Sequence, residues 1–317
     1  MGKQEVWLVW LIIRQKADED SLKKFPKTLM AMCMTKLFRK TNLFVCIVGI
    51  SFMVVWPVAK GNCAMSVNDE RTDNDLKILE NFSEAVQTGD IPRATKALNA
   101  GADVNKLFGT GTPLGVAIGN GDKEMVKFLI EHGADISLQD GVFGAPLHQA
   151  CLYSNNPAEV MKEIALLLIN SGADLEARDY QGSTPLNLVL ENNGDIELAK
   201  LFIEKGANVN SKNNEGNTPL QFVLFPAKKA ALELLIKNSA DVNIKNNDGW
   251  TPLMRAAIFP PTNGEEIVEL LLTAGADVNV QNNKGDTVLS ILEELKSRLP
   301  AYPDNIISLL KAHGAVR

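Results

Sequence analysis

Cysteine is scarce, with four in 317 residues and no C-x-x-C pair. That excludes a disulfide scaffold and the common zinc spacings. Aromatic residues are only 6% of the chain, and histidines number three. H-E-x-x-H, G-x-S-x-G and glycine-rich phosphate-loop patterns are all missing, so no motif points to hydrolysis or nucleotide chemistry. The 23 glycines and 14 prolines are too few for a collagen-like or low-complexity chain, and 45% hydrophobic residues are enough to build a core. Positive charge is absent where a nucleic-acid binder would need it. Residues 1–61 carry a net +6, whereas 62–317 carry a net −12, so the body repels phosphate and no basic stripe interrupts it.

The basic head reads as an address. Leu43 to Ala59 are seventeen residues without a charge, preceded by Lys36, Arg39 and Lys40 and followed by Lys60-Gly61-Asn62. A positive patch, an apolar stretch and then small residues is signal-peptide grammar, with cleavage expected before Asn62. The same segment is at the short end of a membrane-spanning helix, so an uncleaved anchor is the alternative. In either case the basic flank stays inside and the body lies outside the cytoplasm. Residues 1–33 are an uncertain leader, because Met30, Met32 and Met34 each offer a more ordinary signal-peptide start. The expected layout is leader 1–33, signal peptide or anchor 34–61, polar linker 62–74 and a repeat domain 75–317.

The body is periodic. One phrase recurs at Gly101–Asn105, Gly133–Ser137, Gly172–Glu176, Gly206–Asn210, Ser239–Asn243 and Gly275–Asn279, with a truncated copy at Gly314–Val316. A second phrase, Thr-Pro-Leu, begins at Thr112, Thr184, Thr218 and Thr251, with variants at Ala145 and Thr287. Starts of the second phrase are 33, 39, 34, 33 and 36 residues apart. Two coupled phrases at a 33-residue period with insertions resemble the ankyrin repeat. The resemblance implies an all-α solenoid of seven helix-turn-helix units including two caps, near 75–107, 108–140, 141–179, 180–213, 214–246, 247–282 and 283–317. Residues 75–107 hold the second-helix half and the closing phrase without Thr-Pro-Leu, as an N-terminal cap would.

Local chemistry supports the same elements. Threonine before Pro-Leu is an N-cap whose hydroxyl can take an orphan amide, and proline is at home in the first turn. Apolar residues at helical spacing, such as Ile267, Val268, Leu270, Leu271 and Leu272, mark a second helix, and Gly275 is its C-cap. Neighbouring units must stack, because one pair of short helices cannot bury itself. Histidine follows Pro-Leu only at His148, which resembles the family's structural histidine. Gly115, Asn187, Gln221, Met254 and Ser290 stand in its place elsewhere, where weaker local hydrogen bonding is expected. His132 and His313 precede helix-ending glycines, where a cation suits the helix terminus. The repeated Asp-x-Asn at Asp103, Asp241 and Asp277 suits turns better than calcium, since the ligands are not clustered in one loop. Cys151 is expected to be a buried, inert thiol, and a bridge from it to Cys63 would require the linker to fold back along the repeats. No cofactor and no metal are expected.

The resemblance further implies protein binding without catalysis, through turn tips and the ends of the first helices on the concave side. By position, the residues there are Leu152 and Tyr153, Glu191 and Asn192, Phe225 and Pro226, and Ile258 and Phe259. Trp250 lies just before Thr251, and Phe143 lies in a turn. Recurring aromatics in so aromatic-poor a chain fit interface anchors, although proline-bearing insertions at 153–158, 259–264 and 299–304 could cover them. A signal segment ahead of such repeats resembles exported bacterial ankyrin proteins, implying a periplasmic or secreted, monomeric chain with an unnamed protein partner. A membrane-anchored scaffold or a secreted host-directed effector are the alternatives.

Overall fold

A computed structural model describes residues 73–107, 111–139, 144–152, 156–192, 195–224, 228–258, 264–298 and 304–316. The leader, the apolar segment 43–59 and Cys63 lie outside the described residues, as do Phe143, Tyr153, Phe225 and Phe259. Residues 70–317 form one compact unit. Its described part is all-α, with fourteen helices in seven antiparallel pairs. The pairs are α1 (Asp73–Thr88) and α2 (Ile91–Asn99), α3 (Pro113–Gly119) and α4 (Lys123–Glu131), α5 (Pro146–Leu152) and α6 (Ala158–Asn170), and α7 (Pro185–Glu191) and α8 (Ile196–Glu204). They continue with α9 (Pro219–Phe222) and α10 (Lys229–Lys237), α11 (Pro252–Ile258) and α12 (Gly264–Thr273), and α13 (Val288–Arg298) and α14 (Asp304–Ala312).

Each first helix packs on the first helix of the next unit, from α1 through α13. The second helices do the same over α4, α6, α8 and α10, and again between α12 and α14. Between the two rows lies a continuous apolar core. First helices contribute residues such as Leu186, Val189 and Leu190; second helices contribute Leu198, Ala199 and Phe202, all buried. At the N-terminus the structure departs from the sequence reading. The first unit is a complete pair, and its first helix, at sixteen residues, is the longest among the described residues. It lacks Thr-Pro-Leu, and Leu76 on it is exposed.

Caps explain the short helices. Thr112 Oγ1 accepts the Gly115 N–H at 2.9 Å, and Thr184, Thr251 and Thr287 do likewise for Asn187, Met254 and Ser290 at 3.4, 3.3 and 3.2 Å. At Thr218 the bond runs the other way: Gln221 Oε1 accepts the Thr218 N–H at 3.0 Å. Helix α9 stops at Phe222, four residues before Pro226, which has no N–H to give its carbonyl. Asp90, Asp122 and Asp195 cap α2, α4 and α8 through their side chains. Gly275 closes α12 at φ 90°, and Ser239 takes the left-handed conformation at φ 65° where the glycine has been replaced.

The expected weakening at the histidine positions is not general. His148 Nε2 lies 3.1 Å from the Ser183 carbonyl of the next unit. Asn187 Nδ2 reaches Ser211 O at 3.3 Å, and Gln221 Nε2 reaches Trp250 O at 2.9 Å. Amide side chains thus replace imidazole as the donor between units. At Gly115 the space is taken from outside: a Cβ there would come within 2.6 Å of Gln149 Oε1. Cys151 is free and fully buried, donates to Leu147 O, and has its thiol pKa pushed well up by burial.

Candidate partner-binding surface

The turns that join successive units are held by asparagine and aspartate. Asp179, Asn213, Asn246 and Asn282 each accept, through Oδ1, the backbone N–H groups two and four residues later. These are Asx turns, which such side chains form without tertiary help. The tips then bond to one another. Asn214 N donates to Gln181 O at 2.9 Å, Asn247 N to Glu215 O at 3.0 Å, and Asn283 N to Asp248 O at 3.3 Å. Side-chain amides reinforce the row, from Asn214 to Tyr180 O (3.2 Å), Asn247 to Asn214 O (2.8 Å) and Asn283 to Asn247 O (2.7 Å). Glycine is required where the tips meet. Gly216 has φ 78°, and a Cβ on it would lie 2.7 Å from the Asn247 nitrogen.

On this row sits Tyr180, 59% exposed and passed over by the sequence reading. A pointer was present, since an aromatic inside an Asx turn has no core to enter. Beside the tips, a group of charges gathers at the first-helix ends. Lys228 donates from Nζ to Leu190 O at 2.6 Å and Glu191 O at 3.2 Å, covering the C-terminus of α7. Burial lowers the Lys228 pKa, against which Glu191 acts. Glu191 keeps an exposed edge. Desolvation first, then repulsion from Asp179 and Glu215, nevertheless raises its pKa, while Lys228 and Arg255 pull it back. Half-buried Arg255 is shifted down by burial and held up by Glu215 and Glu191. Such a mixed cluster can complement charged side chains of a partner. Among the described residues no group of three or more His, Cys, Asp or Glu is placed to hold a metal ion.

The residues singled out by sequence are placed unevenly. Asn192 is exposed and ends α7, its carbonyl 3.5 Å from Lys228 Nζ. Leu152 and Trp250 are half-buried and lean on the core, and Ile258 is buried at 9% exposure. Ile258 therefore has little surface left for a partner, because its position on the short helix α11 turns it inward. Phe143, Tyr153, Phe225 and Phe259 lie outside the described residues. His132 and His313 sit directly after the last residues of α4 and α14, with Nδ1 2.8 and 2.9 Å from Phe128 O and Leu309 O. Asp103, Asp241 and Asp277 close turns by accepting the N–H two residues later.

Stacked pairs of short helices joined by hydrogen-bonded tips define a helical-repeat solenoid. A sequence profile of ankyrin repeats in three copies matches residues 82–179, 158–245 and 186–282, more than half of the chain. The chain belongs to the ankyrin repeat family. It is 41% identical over 98 residues to rat ankyrin repeat and SAM domain-containing protein 6, covering 30% of this chain and 10% of that protein. It is 30% identical over 121 residues to mouse protein phosphatase 1 regulatory subunit 27, covering 38% of this chain and 72% of that one. Several other relatives are spanned over no more than 26% of their length. The crystal structure of the ankyrin repeat domain of Bcl-3 superposes with a TM-score of 0.62, at 24% identity, over 73% of this chain and 97% of that domain. Ankyrin repeats mediate protein–protein interaction, and their fold is generally a non-enzymatic scaffold.

Proposed function

We propose that this chain is an exported, non-enzymatic module that captures one protein partner along its turn tips and first-helix ends. The observation that carries the reading is Tyr180. It is an exposed aromatic on a row of tips fixed by backbone and amide bonds, next to Asp179 and the Glu191–Arg255 charges. Rigid aromatic anchors flanked by polar groups are what interfaces use. One relative bears the name of a phosphatase regulatory subunit, which fits a role exerted on another protein. Affinity capture with the chain as bait tests this. Tyr180→Ala is expected to lose the captured protein, and the triple change of Phe225, Trp250 and Phe259 to alanine to weaken capture with the helical circular dichroism kept. Capture that is unchanged in both variants contradicts the reading.

The placement rests on the charge and hydropathy of residues 34–61 alone. Export with cleavage before Asn62 makes the protein periplasmic or secreted, and the mass of the mature chain tests it. A chain that retains 43–59 and fractionates with membranes supports the second reading, an anchored scaffold facing outside the cytoplasm. Recovery from culture medium or host cells supports a secreted, host-directed role.

A further inference from the structure

The closing phrase of four units carries an asparagine that bridges to the next. Asn105 Oδ1 accepts the Asp135 N–H at 2.8 Å while its Nδ2 donates to Gly133 O at 3.3 Å. The same two-pronged bond joins Asn210 to Asp241 and Ser239 (2.9 and 3.5 Å), Asn243 to Asp277 and Gly275 (2.8 and 3.1 Å), and Asn279 to Val316 and Gly314 (2.8 and 3.1 Å). At a fifth junction Glu176 takes the Asn208 N–H at 2.8 Å. The remaining junction, between the second and third units, has Ser137. Its hydroxyl turns back to Asp135 Oδ1 at 2.6 Å. Among the described residues, no protein group bonds the Asp174 N–H or the Gly172 carbonyl. At this junction a cleft of about 290 Å³ opens, lined by Ser137, Gly172 and Asp174 and walled by Ile136, Leu147 and Ala173.

We infer that this cleft is a binding site for a primary carboxamide, supplied by an asparagine or glutamine side chain of a bound protein. The chemistry is fixed by the molecule itself. Asp174 N–H and Gly172 C=O occupy the sequence positions that the asparagine contacts at the bridged junctions, both on exposed residues, and a donor beside an acceptor complements a group that accepts and donates side by side. A carboxylate cannot donate to Gly172 O, and an ammonium cannot accept from Asp174 N. The apolar wall provides room for the methylene stem of the incoming side chain. The inference draws on the protein-binding reading only for the source of the amide, and a free amide probes the site without any partner.

The test is an NMR titration of the full chain, ¹⁵N-labelled at aspartate and followed at the Asp174 amide. Propionamide is expected to shift that resonance saturably, and propionate to leave it in place. Ser137→Asn supplies the internal carboxamide and is expected to weaken the propionamide response at least ten-fold, with the helical circular dichroism retained. Equal responses to propionamide and propionate overturn the inference without any variant. An undiminished response in a folded Ser137→Asn protein, or no response to propionamide at all, overturns it as well. Failure of partner capture with the amide response intact counts against the functional reading alone.

Discussion

At the scale of single residues, the structure turns two sequence features into different expectations. Gly216 and Gly285 share positive φ, 78° and 84°, but a Cβ on Gly285 meets nothing within 4 Å, whereas Gly216 abuts the Asn247 backbone. Alanine at 285 is therefore expected to cost roughly 1–2 kcal/mol, the strain of the left-handed conformation alone. Alanine at 216 adds a steric cost of about 1–3 kcal/mol, and urea unfolding of the two variants separates the contributions. His148 gives a pH expectation. Burial is the main cause of its lowered pKa, with the Ser183 carbonyl and Asp179 opposing it. The folded state therefore binds fewer protons than the unfolded one below the ordinary histidine range. The stability from neutral His148 is complete above about pH 6.5 and falls as pH drops from there toward the lowered folded value. His148→Asn, the residue type that does this job at 187, is expected to flatten the melting temperature across that window. An equally steep dependence in the variant would show that other groups carry it.

Elements are joined by side chains whose sequence spacing is about one repeat. Asn243 bonds both Asp277 N and Gly275 O, and removing it leaves two exposed backbone groups to water. Asn243→Ala is expected to lose about 1–2 kcal/mol, with faster hydrogen exchange at the Asp277 amide. Ser137→Asn is expected to act with the opposite sign, raising the melting temperature and slowing exchange at Asp174. Ion pairs between neighbouring second helices, such as Lys123–Glu163 at 2.6 Å and Lys162–Glu197 at 3.7 Å, lie at the surface. They contribute little each, and added salt is expected to change stability only slightly. The caps of these elements were legible in sequence, since Thr-Pro and Asp at helix starts act within three residues. The donors that replace histidine were not. Whether Asn187 or Gln221 reaches the next unit depends on how two units sit together, and propensity carries no record of that.

Across the whole repeat unit, stability is a sum of helix pairs and the contacts between neighbours. Phe202, fully buried in the middle of the stack, tests that coupling. Phe202→Ala is expected to cost about 3–5 kcal/mol and to split urea unfolding, followed by circular dichroism, into two transitions as the flanking units part. A single sharp transition would show that the stack behaves as one cooperative block. Aromatic scarcity pointed to anchors in the sequence. Of the described candidates, Ile258 is buried and Trp250 half-buried in the core, while Tyr180 stands out on the tips. The charge group at Glu191, Glu215, Lys228 and Arg255 comes from three successive units, so no short sequence window contains it.

What the sequence determined by itself was everything that repeats within one period. The helix pairs, threonine and aspartate caps, left-handed glycines and Asx turns all close over two to four residues, and two coupled phrases at 33-residue spacing require them to stack. Only the tertiary structure decided what happens between periods. Asparagine bridges four junctions and glutamate a fifth, whereas serine leaves a cleft with a bare donor and acceptor. The physical reason is reach: a hydrogen bond is made or missed over about an ångström, and that distance is set by the stacking of units some thirty residues apart.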